Sequence, residues 1–465
     1  MAEVSVHQLN ELRTLISGPV LARGDDALAA EVAAYNVLVK HDPDLVVGAD
    51  SEADVAAAVR FATENSLPLT VFATGHGSYV DVTEGLMLTT SRLAGEVAVD
   101  ADARTATVAA GHRVSDVVAA AATHGLAPVV GSSTGVGAIG YILGGGVGPL
   151  ARTFGMSSDW VRAFRVITAE GDLVHADATH SPDLFWALRG GKGGLGVVTA
   201  MELELVPLKT LYGGSMFFAP EHVGAVFTAW LEWTQTVPEE LTSSAAIVRF
   251  PPLEFIPEPL RGKTALHLRV AYVGAASEGQ RLLAPLRGVA PALIDAVSDM
   301  AAADIGSIHN DPDDPIPLWD GNVQRLLTHA DAGFAAALLG AVGPDVDVPV
   351  VAAEVRHLGG ATRRDVPEGS AVGGRSSDYS LLLAGLPDPS LFESVLPQAM
   401  EGITSRLAPW LSDTTLINFQ AKPADEAAVS SWPADIRARL AEVGAAYDPR
   451  GIFSRHVAAG GSGEM

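Results

Sequence analysis

The sequence predicts an α+β protein of two domains, one of them built on an antiparallel sheet covered by helices. Three observations predict it. At 465 residues, 48% of them apolar, the chain exceeds what one ordinary core holds and can fill more than one. The first two hundred residues or so run strand, helix, strand around a glycine-dense centre. From residue 208 longer strands alternate with helical stretches, the pattern of an antiparallel sheet carrying helices on one face. Pro207 marks the change, so domains are expected at 1–207 and 208–415, with 416–465 returning to the first.

From Pro43 to Val80, DLVVGA reads as a strand, EADVAAAVRFATEN as an amphipathic helix with an acidic start, and LPLTVFA as a second strand. The next unit repeats this grammar: MLTTSRL and GEVAVDADARTATVAAG give short strands around an acidic turn, and VSDVVAAAATHG gives a helix ending at Gly125. Residues 128–148, PVVGSSTGVGAIGYILGGGVG, are the glycine-dense centre. WVRAFRVITAEGDLVHA follows as a hairpin turning at Glu170, Gly171 and Asp172, then a helix at SPDLFWALRGG and a strand at LGVVTAMELELVPL. Beyond Pro207 the strands SSAAIVRF, TALHLRVAYVG, PVVAAEVRHLGG and DYSLLLAGL alternate with helical HVGAVFTAWLEWTQTV and EGQRLLAPLRGV. AAADIGSIHNDPDDPIPLWDG, crowded with Asp and Pro, reads as a loop. A strand at LINFQ, a helix at ADIRARLAEVGAAY and the segment YDPRGIFSRH close the chain, before a tail, AAGGSGEM, expected to be disordered.

Composition narrows the function. The formal charge of −25, from 55 acids against 30 bases with no dense Lys/Arg run, argues against nucleic acid as a partner. The absence of cysteine excludes disulfides, thiolate metal sites and cysteine nucleophiles. The first twenty residues lack a basic start followed by an unbroken apolar segment, so no signal peptide is expected. No stretch reaches the roughly 18 to 20 apolar residues that a bilayer requires, and a soluble, cytoplasmic protein is the expectation. His175, His180 and His267 are scattered without ligand spacing, so no metal is expected.

Two segments carry chemistry. In LTVFATGHGSY, Leu69 to Tyr79, His76 stands between Gly75 and Gly77 just after an apolar strand, where tight backbone can approach a phosphate or a ring. The glycine-dense centre admits three readings. GVGAIG, residues 135–140, satisfies the dinucleotide fingerprint, with Asp159 19 residues beyond it, but the second cluster GGGVG would interrupt the helix that such a fingerprint opens. GSSTG, residues 131–135, has the outline of a nucleophile elbow with Ser133 as nucleophile, for which Asp365 and His456 are the available partners. The third reading joins both glycine clusters and the GHG turn into one surface, whose freed backbone N–H groups cradle the pyrophosphate and isoalloxazine of a flavin. It uses all the features together.

At this point the chain resembles the berberine-bridge-enzyme-like, FAD-linked oxidases of the vanillyl-alcohol-oxidase superfamily, with their PCMH-type FAD-binding fold, over nearly its whole length. Pro68 to His76 is similar to the family's Pro-x6-Gly-His turn, although Phe72 stands where an arginine is common. The resemblance makes His76 the residue that carries FAD covalently through its 8α-methyl, with Ala73, Thr74, Gly75, Gly77 and Ser78 around it. Ser133, Val136, Gly137 and Gly140 through GGGVG are similar to the family's long glycine motif. Gly131, Ser132, Ser133, Thr134, Val136, Gly137 and Gly140 are thereby implied as cofactor contacts. Ser133 replaces the cysteine of bicovalent members, which implies a single covalent bond. Arg152, Gly155, Asp159 and Val161 follow the family's next motif, and SPDLFWALRGGKGGLGVVT, 181–199, is close to a long specific block, implying Gly196, Val197 and Val198 at the flavin. YDPRGIFSRH resembles the family's C-terminal motif, with His456 in place of Asn, and brings in Tyr447.

The resemblance implies an FAD-dependent oxidase that removes a hydride from a C–OH or C–NH carbon of a medium-sized organic, secondary-metabolite-like substrate and passes the electrons to O2, giving H2O2. Val136, resembling the residue that leaves oxygen access, favours oxidase over dehydrogenase. A dehydrogenase or an oxidative cyclase or oxygenase is the alternative within the family; a serine hydrolase using Ser133 or a non-catalytic flavin-binding protein is the alternative outside it. Many members carry Tyr-x-Asn-Phe where this chain has Leu416, Ile417, Asn418 and Phe419, so a tyrosinate base is missing. Candidates for the chemistry are Arg356, His357, Tyr141 and Asn418. Strand alternation in EVRHLGG puts Arg356 with Glu354 on one face and His357 with Val355 on the other. If the first face meets the flavin, Arg356 holds an anionic substrate or the reduced-flavin charge; if the second does, His357 accepts a proton. Tyr141 either faces the substrate or packs, Asn418 orients flavin or substrate through its amide, and Arg375 and Tyr379 are similar to a family pair on the substrate sheet.

Overall fold

A computed structural model describes residues 5–420 and 424–453. The chain is α+β, with three sheets. The first has four strands in the order Val20–Ala22, Leu45–Gly48, Leu86–Thr89 and Leu69–Phe72; the first pair is antiparallel and the others parallel. The helix Glu52–Glu64 forms where the sequence places it, because Ser51 caps its N-terminus by accepting the Asp54 N–H and Glu52 and Asp54 load the first turn with negative charge. Val55, Ala58, Val59 and Ala62, spaced one helical turn apart, are its fully buried stripe.

The second sheet is antiparallel, with five strands in the order Ala98–Asp100, Thr105–Ala109, Val197–Glu204, Val161–Ile167 and Leu173–Asp177. Both small sheets feed one apolar core, which also takes the helix Ala434–Tyr447 and the C-terminal Ile452 and Phe453.

The third sheet is an eight-stranded antiparallel one drawn from residues 210–385. Its middle strands, in order, are Thr210–Phe218, Thr264–Tyr272, Leu241–Arg249, Val350–His357 and Tyr379–Gly385. Alternation sorts their side chains cleanly. Ala245, Ile247, Leu266, Leu268, Val270, Ala353, Val355, Leu381 and Leu383 enter a core shared with the helices Val223–Thr234, Ala332–Val342 and Val395–Leu407. Their neighbours Ser244, His267, Arg269, Glu354 and Arg356 are buried or nearly so on the opposite face.

Two expectations are corrected. LINFQ forms a short 3-10 turn at Ile417–Phe419 rather than a strand, because its amide side chain and flanking N–H groups are used by other segments, Asn418 by Tyr141 and Leu416 by Gln324. The 301–321 segment contains a 3-10 helix at Ala302–Ile308, and the neighbouring edge strands Ala292–Asp295, Ser298–Ala301 and Val323–Leu327 are too short for their periodicity to register. The AAGGSGEM tail and His456 lie outside the described residues. Among the described residues no helix is long and apolar enough to cross a membrane.

Candidate active site

The strand Leu69–Phe72 delivers the chain into the GHG turn. Gly75 is required there: its φ is +70°, and a Cβ would come within 2.7 Å of the Ala34 backbone and 2.9 Å of the Phe72 ring. The turn presents His76 half-buried, its ring stacked on Tyr35 at 4.1 Å between centroids and its Nδ1 2.9 Å from Thr74 Oγ1. Burial first, and then the positive charge of Arg113, lower the imidazole to about 4, with Asp313 opposing. The ring is therefore neutral at physiological pH.

Thr74 joins this turn to the glycine-dense centre. Its Oγ1 accepts the Gly137 N–H at 3.2 Å, across 63 residues of sequence. The helix Val114–Ala122 anchors the centre from the other side, with Val114 N–H donating to Val136 O and Ser115 N–H to Thr134 O, both at 2.9 Å. Gly77 and Gly140 are different from Gly75. Neither has a positive φ, and among the described residues a Cβ at either would meet nothing within 4 Å, so these residues give no reason for glycine at these places. Bare backbone facing open space suits the close approach of a flat cofactor.

Tyr141 lies on the short helix Ala138–Ile142 and is gripped by two glycines; a Cβ on Gly131 would fall 2.7 Å from its hydroxyl and one on Gly146 would fall 2.6 Å from its ring. Burial raises its phenol far above the ordinary value, against the pull of Arg356. It cannot serve as a base near neutral pH. Asn418 donates through Nδ2 to Tyr141 O at 2.8 Å and accepts at Oδ1 from Lys192 Nζ at 2.6 Å. Lys192 also donates to Gly140 O at 2.9 Å. Among the described residues its ammonium has no carboxylate partner, and burial lowers it to about 8. The sequence motifs do not single out this residue. A lysine interrupting a glycine run, here at φ +69°, was the available signal.

Of the two faces of the strand Val350–His357, the Arg356 face meets the glycine-dense centre. Its guanidinium lies 5.4 Å from the Phe419 ring centroid and pairs with Glu354 at 3.0 Å. The structure does not bring His357 to that face. It hydrogen-bonds Arg152 at 2.9 Å and stacks on Tyr379 on the helix-covered side, where burial and then Arg152 depress it to about 3. Tyr379 bonds Thr234 and Gln235, so it too stands away from the glycine-dense centre. Arg375 is spent on Asp159 at 2.5 Å and Asp365 at 3.1 Å. Those pairs also remove Asp159 from a ribose role and Asp365 from a triad with Ser133. Residues 128–134 contain no strand and the following helix has five residues, so neither a nucleophile elbow nor a dinucleotide fingerprint has its strand and helix. Gly196, Val197 and Val198 lead into the five-stranded sheet. A Cβ on Gly196, φ +125°, would meet Val166 at 2.7 Å, and both valines are buried in the first core. Tyr447 packs against that core, its carbonyl accepting the Ala169 N–H at 3.3 Å.

Residues 43–177 match a family described as an FAD binding domain. The (R)-6-hydroxynicotine oxidase of Paenarthrobacter nicotinovorans is 26% identical over 456 residues, 95% of this chain and 96% of that protein. The solved 6-hydroxy-D-nicotine oxidase from Arthrobacter nicotinovorans superposes with a TM-score of 0.82 at 22% identity, over 95% of this chain and 97% of that one. A glucooligosaccharide oxidase from Acremonium strictum, described with a 6-S-cysteinyl, 8α-N1-histidyl FAD, superposes at 0.79 and 22% identity, over 97% and 98% of the two chains.

Proposed function

Because this chain belongs to the PCMH-type FAD-linked oxidases, we propose that it holds its FAD through one covalent bond to His76 and oxidises a C–OH or C–NH carbon of a medium-sized organic molecule. The observation that carries the proposal is the Thr74 junction, which sets the GHG turn against the glycine-dense centre and leaves Gly77 and Gly140 facing open space. In this reading the flavin unit is 1–207 with 416–465 returning to it, and 208–415 supplies the substrate face.

The bound flavin supplies hydride acceptance and two-electron transfer to O2. The chain supplies the rest. His76, neutral because burial and Arg113 hold it near 4, offers a free lone pair for attachment, and Tyr35 and Thr74 fix its ring. With no cysteine in the sequence, a cysteinyl arm like that named for the glucooligosaccharide oxidase has no donor. Lys192 is the base that this reading selects: Leu416 replaces the tyrosine, His357 faces away and Tyr141 is held protonated. In its neutral form Lys192 takes the substrate O–H or N–H proton, with Asn418 and Gly140 O aiming its lone pair. Val136, small and beside the junction, leaves room for O2.

The oxidase step is tested by photoreducing the flavin-loaded protein without air and then mixing it with oxygenated buffer. Return of the oxidised spectrum within seconds, with one H2O2 per flavin, is expected; a reduced spectrum that persists for many minutes would assign the protein as a dehydrogenase instead.

A further inference from the structure

The large sheet turns an unusual set of side chains toward the flavin unit. Ser244 pairs in register with Arg269 on one side and with Arg356 on the other, so three neighbouring strands place two arginines flanking a serine. Glu354, one pleat along, accepts from Arg269 Nη1 at 2.7 Å and from Arg356 Nε at 3.0 Å. Its side chain is 6% exposed, and those of the two arginines are 10% and 14% exposed. Burial would raise the carboxyl, but the two guanidiniums outweigh it and hold Glu354 at about 2. Glu354 is thus an anion throughout the physiological range.

The charges do not balance. Two guanidiniums against one carboxylate leave one positive charge in a buried place, in a protein whose formal charge is −25. Asp311 attracts both arginines from a distance, yet among the described residues it forms no ion pair with either. Surplus positive charge in a buried place is costly, and an anionic ligand would offset that cost. Further donors here also lack partners. Among the described residues Arg269 Nε and both ring nitrogens of His309 make no hydrogen bond, and His309 Nε2 is 3.7 Å from Glu354 Oε1, beyond bonding distance. Arg269, Arg356 and His309 line a cavity of about 20 Å3 together with Val147 and Gly148 of the glycine-dense centre. That volume admits one water or the oxygens of a small anionic group, and no more.

We infer that the substrate carries a carboxylate, and that Arg356 and Arg269, with His309 as a further donor, receive it in this cavity. The inference rests on the reading of this face as the substrate face of an oxidase and adds the substrate class. A carboxylate matches the planar donor array of a guanidinium and neutralises the surplus charge, while Glu354 keeps the two arginines apart and correctly turned. Holding the acid group here would orient the remainder of the molecule toward Tyr141 and Phe419, the side of the site where Lys192 and Asn418 stand. A neutral sugar or a cationic amine would leave the charge uncompensated.

The test is calorimetric titration of the oxidised, flavin-loaded protein with 3-phenylpropionate and with its uncharged isostere 3-phenylpropionamide. The acid is expected to bind at least tenfold more tightly. Arg356→Gln, which leaves Glu354 paired with Arg269, should erase most of that preference by weakening the acid far more than the amide. Glu354→Gln, which frees both guanidiniums, should enlarge it. Equal affinities, no detectable binding of either compound, or an acid preference untouched by Arg356→Gln would overturn the inference; the last two would also follow if Arg356 served only the charge of reduced flavin. Flavin absorbance and reoxidation in air are measured on the same samples. A protein that is yellow and reoxidised by O2 but indifferent to the acid loses only this inference, whereas a flavin-loaded protein that prefers the acid but is not reoxidised in air loses the oxidase reading and keeps only an anion site on this face.

Discussion

Lys192 is the residue whose environment says most about the reaction. A buried ammonium held among the described residues by the neutral oxygens of Gly140 and Asn418 gives up its proton near pH 8, close enough to neutrality to exchange it during turnover. The rate should therefore rise with pH through about 8, because the neutral amine is the active form. Lys192→Met should lower kcat by about 10²- to 10⁴-fold and flatten that limb, the usual scale for loss of a general base. A variant that retains the limb would move the base elsewhere. The tight turn around His76 was legible in the sequence, because glycines on both sides of a histidine mark close backbone without tertiary context. Lys192 was not, since its meaning depends on burial and on an amide 226 positions away. His357 and Arg356 were legible as a pair on opposite faces, but only packing could say which face meets the glycine-dense centre.

At the scale of elements, the large sheet separates stability from function by pleat. Leu268 is fully buried in the helix-covered core, one residue from Arg269 on the other face. Leu268→Ala should cost about 2–5 kcal/mol of unfolding free energy, read as a lower denaturation midpoint at unchanged slope. A loss under about 0.5 kcal/mol, typical of surface substitutions, would contradict that packing. The long strands and most helices were legible, because alternation and the 3.6-residue period persist over eight or more residues in Val350–His357, Thr264–Tyr272 and Glu52–Glu64. The four-residue edge strands Ala292–Asp295 and Ser298–Ala301, partly exposed and without an unbroken apolar run, carry too little pattern, and the Asn418 turn looked like a strand because Leu416, Ile417 and Phe419 are apolar for reasons of packing at a junction.

Across the whole molecule, burial has left histidines neutral on both sides of the large sheet. His267, His309 and His357, each under 9% exposed, are all held below the ordinary imidazole value, chiefly by burial and further by Arg269 or Arg152. A depressed pKa means that unfolding takes up protons, so this stability is complete above pH ~6.5 and is lost as pH falls below it, by about 1.4 kcal/mol per pH unit for each histidine. Melting temperature should drop steeply from pH 7 to pH 5, and a flat profile there would show these rings to be protonated in the native state.

The His76 attachment is tested most directly by unfolding the purified protein in acid, separating it on a denaturing gel and viewing the band for flavin fluorescence, with His76→Ala alongside. A fluorescent wild-type band and a dark variant band are expected. A dark wild-type band from protein that was yellow before unfolding would show the flavin to be held without a covalent bond, and fluorescence that survives in His76→Ala would place the bond on another residue.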